Sequence, residues 1–204
     1  MYSFELYGLL ILGLPIWIIA RIIILVNRRK KSIKFNIGDE ILTNLFVIYL
    51  FFLIGITILP IVIGGTLEHI QELSLIKRCN INIVPFVGYF KNITLFSVMI
   101  RNVVGNLVLL IPFILYVCIK NEKSRTLKSS VKIAFLISLL IELIQLFMNI
   151  FCLTYVRAVD IDDLILNTLG GIVAWFIFKL MYKGKIKGII DSIYPQLIES
   201  NEIK

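Results

Sequence analysis

Charged residues are scarce in this 204-residue chain, and the two signs are unbalanced. Only 17% of the residues are charged, with 21 Lys and Arg against 13 Asp and Glu, while 59% are hydrophobic and the mean hydropathy is +0.95. A soluble domain has about 25% charged and about 45–50% apolar residues. The core of one globular domain of this length cannot hold so many apolar side chains. The composition therefore excludes an ordinary soluble domain and predicts that much of the surface faces lipid.

Residues that build metal and catalytic centres are also scarce. The single histidine, His69, is interpreted as a loop residue, and the three cysteines lack the spacing of a metal site. Cys118 lies in an apolar run and is interpreted as a packed hydrophobe. Cys79 and Cys152 fall on the same predicted side of the membrane, and we interpret them as unpaired thiols, with a disulfide as the alternative. No cofactor is indicated.

The net charge of +8 is distributed in short clusters between apolar runs, which indicates membrane orientation rather than binding to nucleic acid. No recognisable nucleic-acid module is present, and we expect no nucleic-acid partner. The first apolar run has no basic residue before it and no small-residue cleavage site after it, so we expect an uncleaved span.

Five runs have the roughly 20 mostly apolar residues that a spanning helix needs. The sequence therefore predicts an all-α, polytopic membrane protein with about five transmembrane helices. Their approximate bounds are Leu6–Val26, Ile41–Ile63, Val98–Ile119, Val131–Ile150 and Asp163–Met181. Residues 64–97 form the longer connection on one side, with apolar residues that indicate a surface-lying or re-entrant segment.

Three basic clusters fall on one side of these five spans. They are Arg28–Lys34, then Lys120 to Lys132, then Lys179 to Lys187. Because short cytoplasmic loops are enriched in Lys and Arg, we expect the amino terminus outside and the carboxyl terminus inside.

Polar residues inside the spans form three stripes with helical spacing. Asn102 and Asn106 are four residues apart, Glu142 and Gln145 are three apart with Asn149 four later, and Asp160, Asp163 and Asn167 follow the same rhythm. At about 1.5 Å of rise per residue, Glu142 lies about 12 Å below the outer end of its span. All three stripes fall in the predicted outer half, and the other half shows no comparable set in the sequence.

We predict that these stripes line one cavity open to the outer side. A buried charge is costly, so Glu142 is expected to be neutral or paired with Arg101 or Arg157. The alternatives are that the amides only hold helices together, that Arg157 makes a loop salt bridge to Asp160 or Asp163, or that Glu142, Asp160, Asp162 and Asp163 bind magnesium or calcium. Of these alternatives we do not adopt metal binding, and we expect the site to hold no metal.

Three motifs resemble the VanZ-like family. The first is Asn82-Ile83-Val84-Pro85-Phe86. The second is Arg101-Asn102-Val103-Val104-Gly105-Asn106 leading to Pro112-Phe113, where Ile114 replaces an expected glycine. The third runs from Glu142-x-x-Gln145 through Arg157-x-x-Asp160-Ile161-Asp162-Asp163 to Asn167-Thr168-Leu169-Gly170. The resemblance implies a bacterial cell-envelope protein of the kind linked to reduced sensitivity to glycopeptide antibiotics, notably teicoplanin.

The sequence divides into a first span with its basic loop (1–40), a VanZ-like membrane domain (41–187) and a cytoplasmic tail (188–204). We expect a multi-pass protein of the bacterial cytoplasmic membrane.

Several functions fit the predicted site. The first is recognition of an envelope lipid, an amphiphile or a membrane protein partner. The second is an enzyme acting on a lipid-linked precursor, with Glu142 or Asp163 transferring a proton. A proton-coupled transporter is a third. The expected ligand-binding residues are Arg101, Asn102, Asn106, Glu142, Gln145, Arg157, Asp160, Asp163 and Asn167.

Overall fold

The computed structural model describes residues 2–32, 35–63, 72–86, 96–154 and 157–194. It confirms the predicted all-α class and the five spans, since five helical stretches are long and apolar enough to cross a membrane. They are Leu6–Lys30, Ile37–Thr57, Met99–Lys120, Leu127–Ile150 and Ile161–Met181. His69, much of the longer connection and the last ten residues lie outside the described residues.

The first two spans are α1 (Leu6–Lys30) and α2 (Ile37–Thr57). The predicted end of the second span at Ile63 is wrong, because α2 ends at Thr57 and a short strand follows. Pro60 has no N–H and cannot extend the helical ladder. Strand β1 (Tyr2–Phe4) pairs antiparallel with β2 (Ile61–Ile63), which joins the start of α1 to the end of α2.

The third span is divided into α4 (Phe96–Leu109) and α5 (Ile111–Lys120). Pro112 explains the division, since a proline inside a continuous helix would remove one backbone hydrogen bond and clash with the preceding turn. At the start of a helix the same residue is tolerated. Leu110, Ile114 and Cys118 then face inward and are almost completely buried, as expected for Cys118.

The fourth and fifth spans, α6 (Leu127–Ile150) and α7 (Ile161–Met181), form the most extensive helix pair. Each begins with a side-chain cap: Thr126 accepts from Ser129 N at 3.2 Å, and Asp160 accepts from Asp162 N at 2.9 Å. α7 also packs against α4 and α5, so it is the central helix of the described bundle.

Two short elements of the longer connection pack on the bundle. α3 (Leu75–Cys79) contacts α6, and β3 (Ile81–Asn82) pairs parallel with β4 (Val159–Asp160), directly before α7. The chain continues beyond the fifth span as α8 (Gly184–Ile193). Cys79 and Cys152 are both free thiols, as is Cys118.

Candidate functional site

Four acidic residues meet at the end of the bundle where α6 ends and α7 begins. This carboxyl cluster comprises Glu142, Asp160, Asp162 and Asp163. Glu142 projects from α6 and is only 5% exposed. Its Oε2 accepts a hydrogen bond from the backbone N of Asp160 at 3.0 Å. The Glu142 carboxyl also lies close enough to those of Asp160 and Asp163 for electrostatic repulsion between them.

A third helix contributes an amide to the carboxyl cluster. Asn106 Nδ2, on α4, donates to Asp163 Oδ1 in the first turn of α7. Side chains from α4, α6 and α7 therefore meet at this point, which brings Asn106, Glu142 and Asp163 together. That they line a ligand-binding cavity stays a prediction.

Within the described parts of the chain, no cation forms an ion pair with the carboxyl cluster. Among the described residues, the ion pairs of lysine and arginine are all made with Asp39 or Glu40, at the opposite end of the bundle. No three Asp, Glu, His or Cys side chains in the described ranges converge in a way that could hold a metal. Ligand groups that donate hydrogen bonds or carry positive charge are the chemical complement of such a cluster.

Arg157, one of the two candidate partners of Glu142, does not pair with it. Its guanidinium donates to the carbonyl oxygens of Ile56 at 3.0 Å, Thr57 at 2.9 Å and Leu59 at 2.6 Å. The last carbonyls of a helix have no partner within the helix, and α2 ends at Thr57. Burial lowers the pKa of Arg157 from its ordinary value. Arg157 therefore caps α2 instead of holding an acidic group.

The remaining residues of the α6 stripe support the same cap. Gln145 Nε2 donates to Thr57 O at 2.9 Å. Asn149 Nδ2 donates to Arg157 O at 2.7 Å, and Asn149 Oδ1 accepts from Arg157 N at 3.1 Å. Gln145 and Asn149 thus serve to position backbone, whereas Glu142, one turn before Gln145, belongs to the carboxyl cluster.

The segment before α4 docks on the carboxyl cluster from outside the spans. Asn82 Nδ2 donates to Asp160 Oδ1 at 3.0 Å, and the backbone N of Phe86 donates to Asp162 Oδ1 at 2.8 Å. Asp162 is 2% exposed, so its side chain accepts the bond from Phe86 in a buried position. The loop is held on the carboxyl cluster by two side-chain contacts and by the β3–β4 pairing.

A second polar layer lies one helical turn deeper. Asn167 is four residues after Asp163 on α7, and Ser138 is four residues before Glu142 on α6. Asn167 Nδ2 donates to Ser138 Oγ at 2.9 Å. Asn167 Oδ1 is buried without a hydrogen-bond partner among the described residues.

Besides Gln145 and Arg157, two further predicted site residues are not brought to the carboxyl cluster. Arg101 and Asn102, near the start of α4, are exposed, and neither forms a hydrogen bond or an ion pair with a described residue. Arg101 is therefore not a partner of Glu142 in this structure.

A model of the VanZ/LLP1 family matches residues 46–182, which is more than half of the chain. The chain belongs to the VanZ/LLP1 family. Comparison with curated proteins found no match, and comparison with solved structures found none. The matched region begins inside α2 and ends just after α7, so it includes the whole carboxyl cluster.

The three VanZ-like motifs meet at one place in this family member. The first motif contacts the third through Asn82 and Asp160, and the second contacts the third through Asn106 and Asp163. Residues separated by 78 and 57 positions are thereby joined. The carboxyl cluster is the point of contact common to all three motifs.

Sequence reasoning missed a second polar set at the opposite end. Glu40 accepts from Arg21 Nε at 2.7 Å and Nη2 at 2.5 Å, and Asp39 accepts from Lys120 Nζ and, at 2.7 Å, from Tyr194 Oη. The expectation that this half has no comparable set is wrong. Arg21, a lone cation within the first apolar run, was the signal that could have revealed it.

This second set is satisfied by its own ion pairs, whereas the carboxyl cluster forms none with the described residues. Arg21 is 9% exposed and forms a two-bond fork with Glu40. It ties α1, which lies outside the family match, to α2. We therefore assign the second polar set to assembly of the bundle.

Proposed function

We propose that this VanZ/LLP1 member recognises the polar headgroup of an envelope lipid or another amphiphile at the carboxyl cluster, and that it thereby reduces sensitivity to glycopeptides such as teicoplanin. The observation that carries the proposal is the burial of Glu142 beside Asp163 with no cation within ion-pair distance among the described residues. Ionisable groups within a span are costly and usually mark a functional site.

Helix packing alone accounts poorly for the carboxyl cluster. An amide would provide the same hydrogen bonds between helices without the cost of burying a charge. The Asn167 amide does so one turn away, where it bonds the Ser138 hydroxyl. Arg157, one of the predicted counter-ions, is bound to backbone carbonyls. Glu142 and Asp163 therefore form no ion pair with a described residue, which leaves their charge to be complemented by a ligand.

The surroundings of the carboxyl cluster suit an amphiphile. Ile83 and Val84 follow Asn82 directly, and they are 75% and 54% exposed. Because Asn82 is bonded to Asp160, this apolar surface lies beside the acidic groups. Exposed apolar patches with a polar rim often mark binding sites for lipids or proteins. A headgroup would contact the carboxyl cluster while an apolar chain contacts the loop.

The variant Glu142→Gln tests the proposal because it keeps the shape and removes the acid. We expect teicoplanin susceptibility to return to that of cells without the protein, while the amount of protein in the membrane stays the same. The matched control is Glu72→Gln, since Glu72 is an exposed acid outside the spans. The minimal inhibitory concentration and a membrane immunoblot are measured together. Full protection by Glu142→Gln at normal abundance would refute the proposal.

An enzyme acting on a lipid-linked precursor is the second candidate. It is favoured by the proximity of Glu142 and Asp163, because two carboxyls in one site can act as general acid and base. Mass spectrometry of envelope lipids incubated with purified protein separates the two functions. A new product that disappears with Asp163→Asn would support catalysis, whereas lipid retention without a product supports recognition.

A further inference from the structure

Helix α8 crosses the end of the bundle opposite the carboxyl cluster. It begins three residues after Met181, the last residue of the fifth span, and lies beyond the region matched by the family model. At its other end, Tyr194 Oη donates to Asp39 at 2.7 Å and Asn36 Nδ2 donates to Ile193 O at 3.2 Å. Both ends of α8 are thus fixed to ends of spanning helices, which places its axis along the membrane surface.

The side chains of α8 separate into distinct faces. At about 100° per residue, its four isoleucines share one arc. Ile190 is buried against the bundle at 8% exposure, whereas Ile186 and Ile189 are 41% and 57% exposed. Lys185 and Lys187 border this arc on its two sides, and Gly188 and Ser192 occupy the remaining face. An apolar arc bordered by lysines is typical of helices that lie in the membrane interface.

The charge of α8 indicates which lipids it would contact. Lys183, Lys185 and Lys187 are exposed and form no ion pair with a described residue. Asp191, the acidic residue of the helix, is engaged by Tyr182 Oη at 2.6 Å. Lysine side chains at a membrane surface are attracted to anionic headgroups, and their stems can extend from the apolar arc to that level.

We propose that α8 is an interfacial helix that inserts Ile186 and Ile189 into the bilayer and binds anionic lipid headgroups through Lys185 and Lys187. The partner is the lipid surface itself. This inference does not depend on the function of the carboxyl cluster, which lies at the other end of the bundle.

Insertion is tested with the full-length protein in vesicles of brominated phosphatidylcholine and phosphatidylglycerol. The variants I189W and G188W place a fluorophore on adjacent positions of different faces. A Cβ at Gly188 would meet no atom within 4 Å, so G188W is a matched control. After subtraction of the wild-type signal from Trp17 and Trp175, we expect strong quenching for I189W and weak quenching for G188W. Equal quenching of the two would overturn insertion.

Headgroup binding is tested with short-chain phosphatidylglycerol and the detergent-purified protein. The variant K185Q/K187Q is expected to weaken binding by about fivefold for each lysine removed. The control R29Q/K30Q removes the same charge from two exposed residues at the end of α1. Short-chain phosphatidylcholine is expected to bind all three proteins equally. Unchanged affinity in K185Q/K187Q, or an equal loss in R29Q/K30Q, would show that α8 has no binding role of its own.

Discussion

At the scale of single residues, the role of Arg157 is the one that differs most from what its charge suggests, which is an ion pair with an acidic group. Its guanidinium is bonded to three backbone carbonyls from Ile56 to Leu59. These carbonyls belong to the end of α2 and the turn after it, where a helix leaves acceptors unpaired. The planar guanidinium can satisfy several acceptors at once, which a lysine ammonium cannot do in the same geometry. Arg157 thus stabilises the backbone next to the carboxyl cluster and does not neutralise the charge of the cluster.

We expect Arg157→Ala to reduce the stability of the protein by about 2–3 kcal/mol, because the carbonyls at the end of α2 would lose charge-assisted hydrogen bonds. Arg157→Lys should recover only part of this loss. Thermal unfolding is followed with a thiol-reactive dye, which reports exposure of the buried Cys118 and Cys152.

Arg101→Ala is the control for the Arg157 variants, since Arg101 is exposed, and its unfolding temperature should be unchanged. If Arg157→Ala unfolds like the wild type but abolishes teicoplanin protection, Arg157 contacts ligand and our assignment as a cap is wrong.

At the scale of elements, two glycines determine how closely α7 approaches its neighbours. A Cβ at Gly170 would lie 2.2 Å from the backbone oxygen of Leu107 on α4, and a Cβ at Gly171 would lie 2.5 Å from Ala134 Cβ on α6. The α4 contact is only one residue from Asn106, which bonds Asp163. Small residues that allow close helix contact are common in membrane bundles. Here they also bring the side chains of the carboxyl cluster together.

The variant Gly170→Ala should separate α4 from α7 and destabilise the bundle by about 1–3 kcal/mol, as overpacking does in other cores. Gly105→Ala is the matched control within α4, because its Cβ would meet no atom within 4 Å. Alanine is the better helix former, so Gly105→Ala should be neutral or stabilising. Membrane abundance and unfolding temperature are compared. Equal behaviour of the two variants would contradict the close contact at Gly170.

At the scale of the whole molecule, two polar sets occupy opposite ends of one bundle. The carboxyl cluster lacks cations within ion-pair distance among the described residues, whereas the set around Asp39 and Glu40 is internally paired. The three basic clusters of the sequence fall at the second end. If those clusters face the cytoplasm, the carboxyl cluster faces outward, where envelope lipids and glycopeptides are encountered.

Cysteine labelling on intact cells tests this orientation. Cysteines replacing Lys30 or Lys123 should not react with a membrane-impermeant reagent, while a cysteine replacing the exposed Ile83 should react. Cys79 is first replaced by serine because it is partly exposed. Labelling at Lys30 or Lys123 without permeabilisation would refute the predicted topology.

The sequence by itself determined the five spans, the family and most members of the carboxyl cluster. The spans follow from the length of apolar runs, the family from short motifs, and the members of the carboxyl cluster from spacing along single helices. All of these are local properties of the sequence. Only the tertiary structure decided the partners of Arg157, the docking of Asn82 and the cluster around Asp39. Arg157 and Ile56 are 101 residues apart, and Asn82 and Asp160 are 78 apart. Free carbonyls occur at every helix end whatever the residue, so no side-chain pattern reveals which of them an arginine will reach.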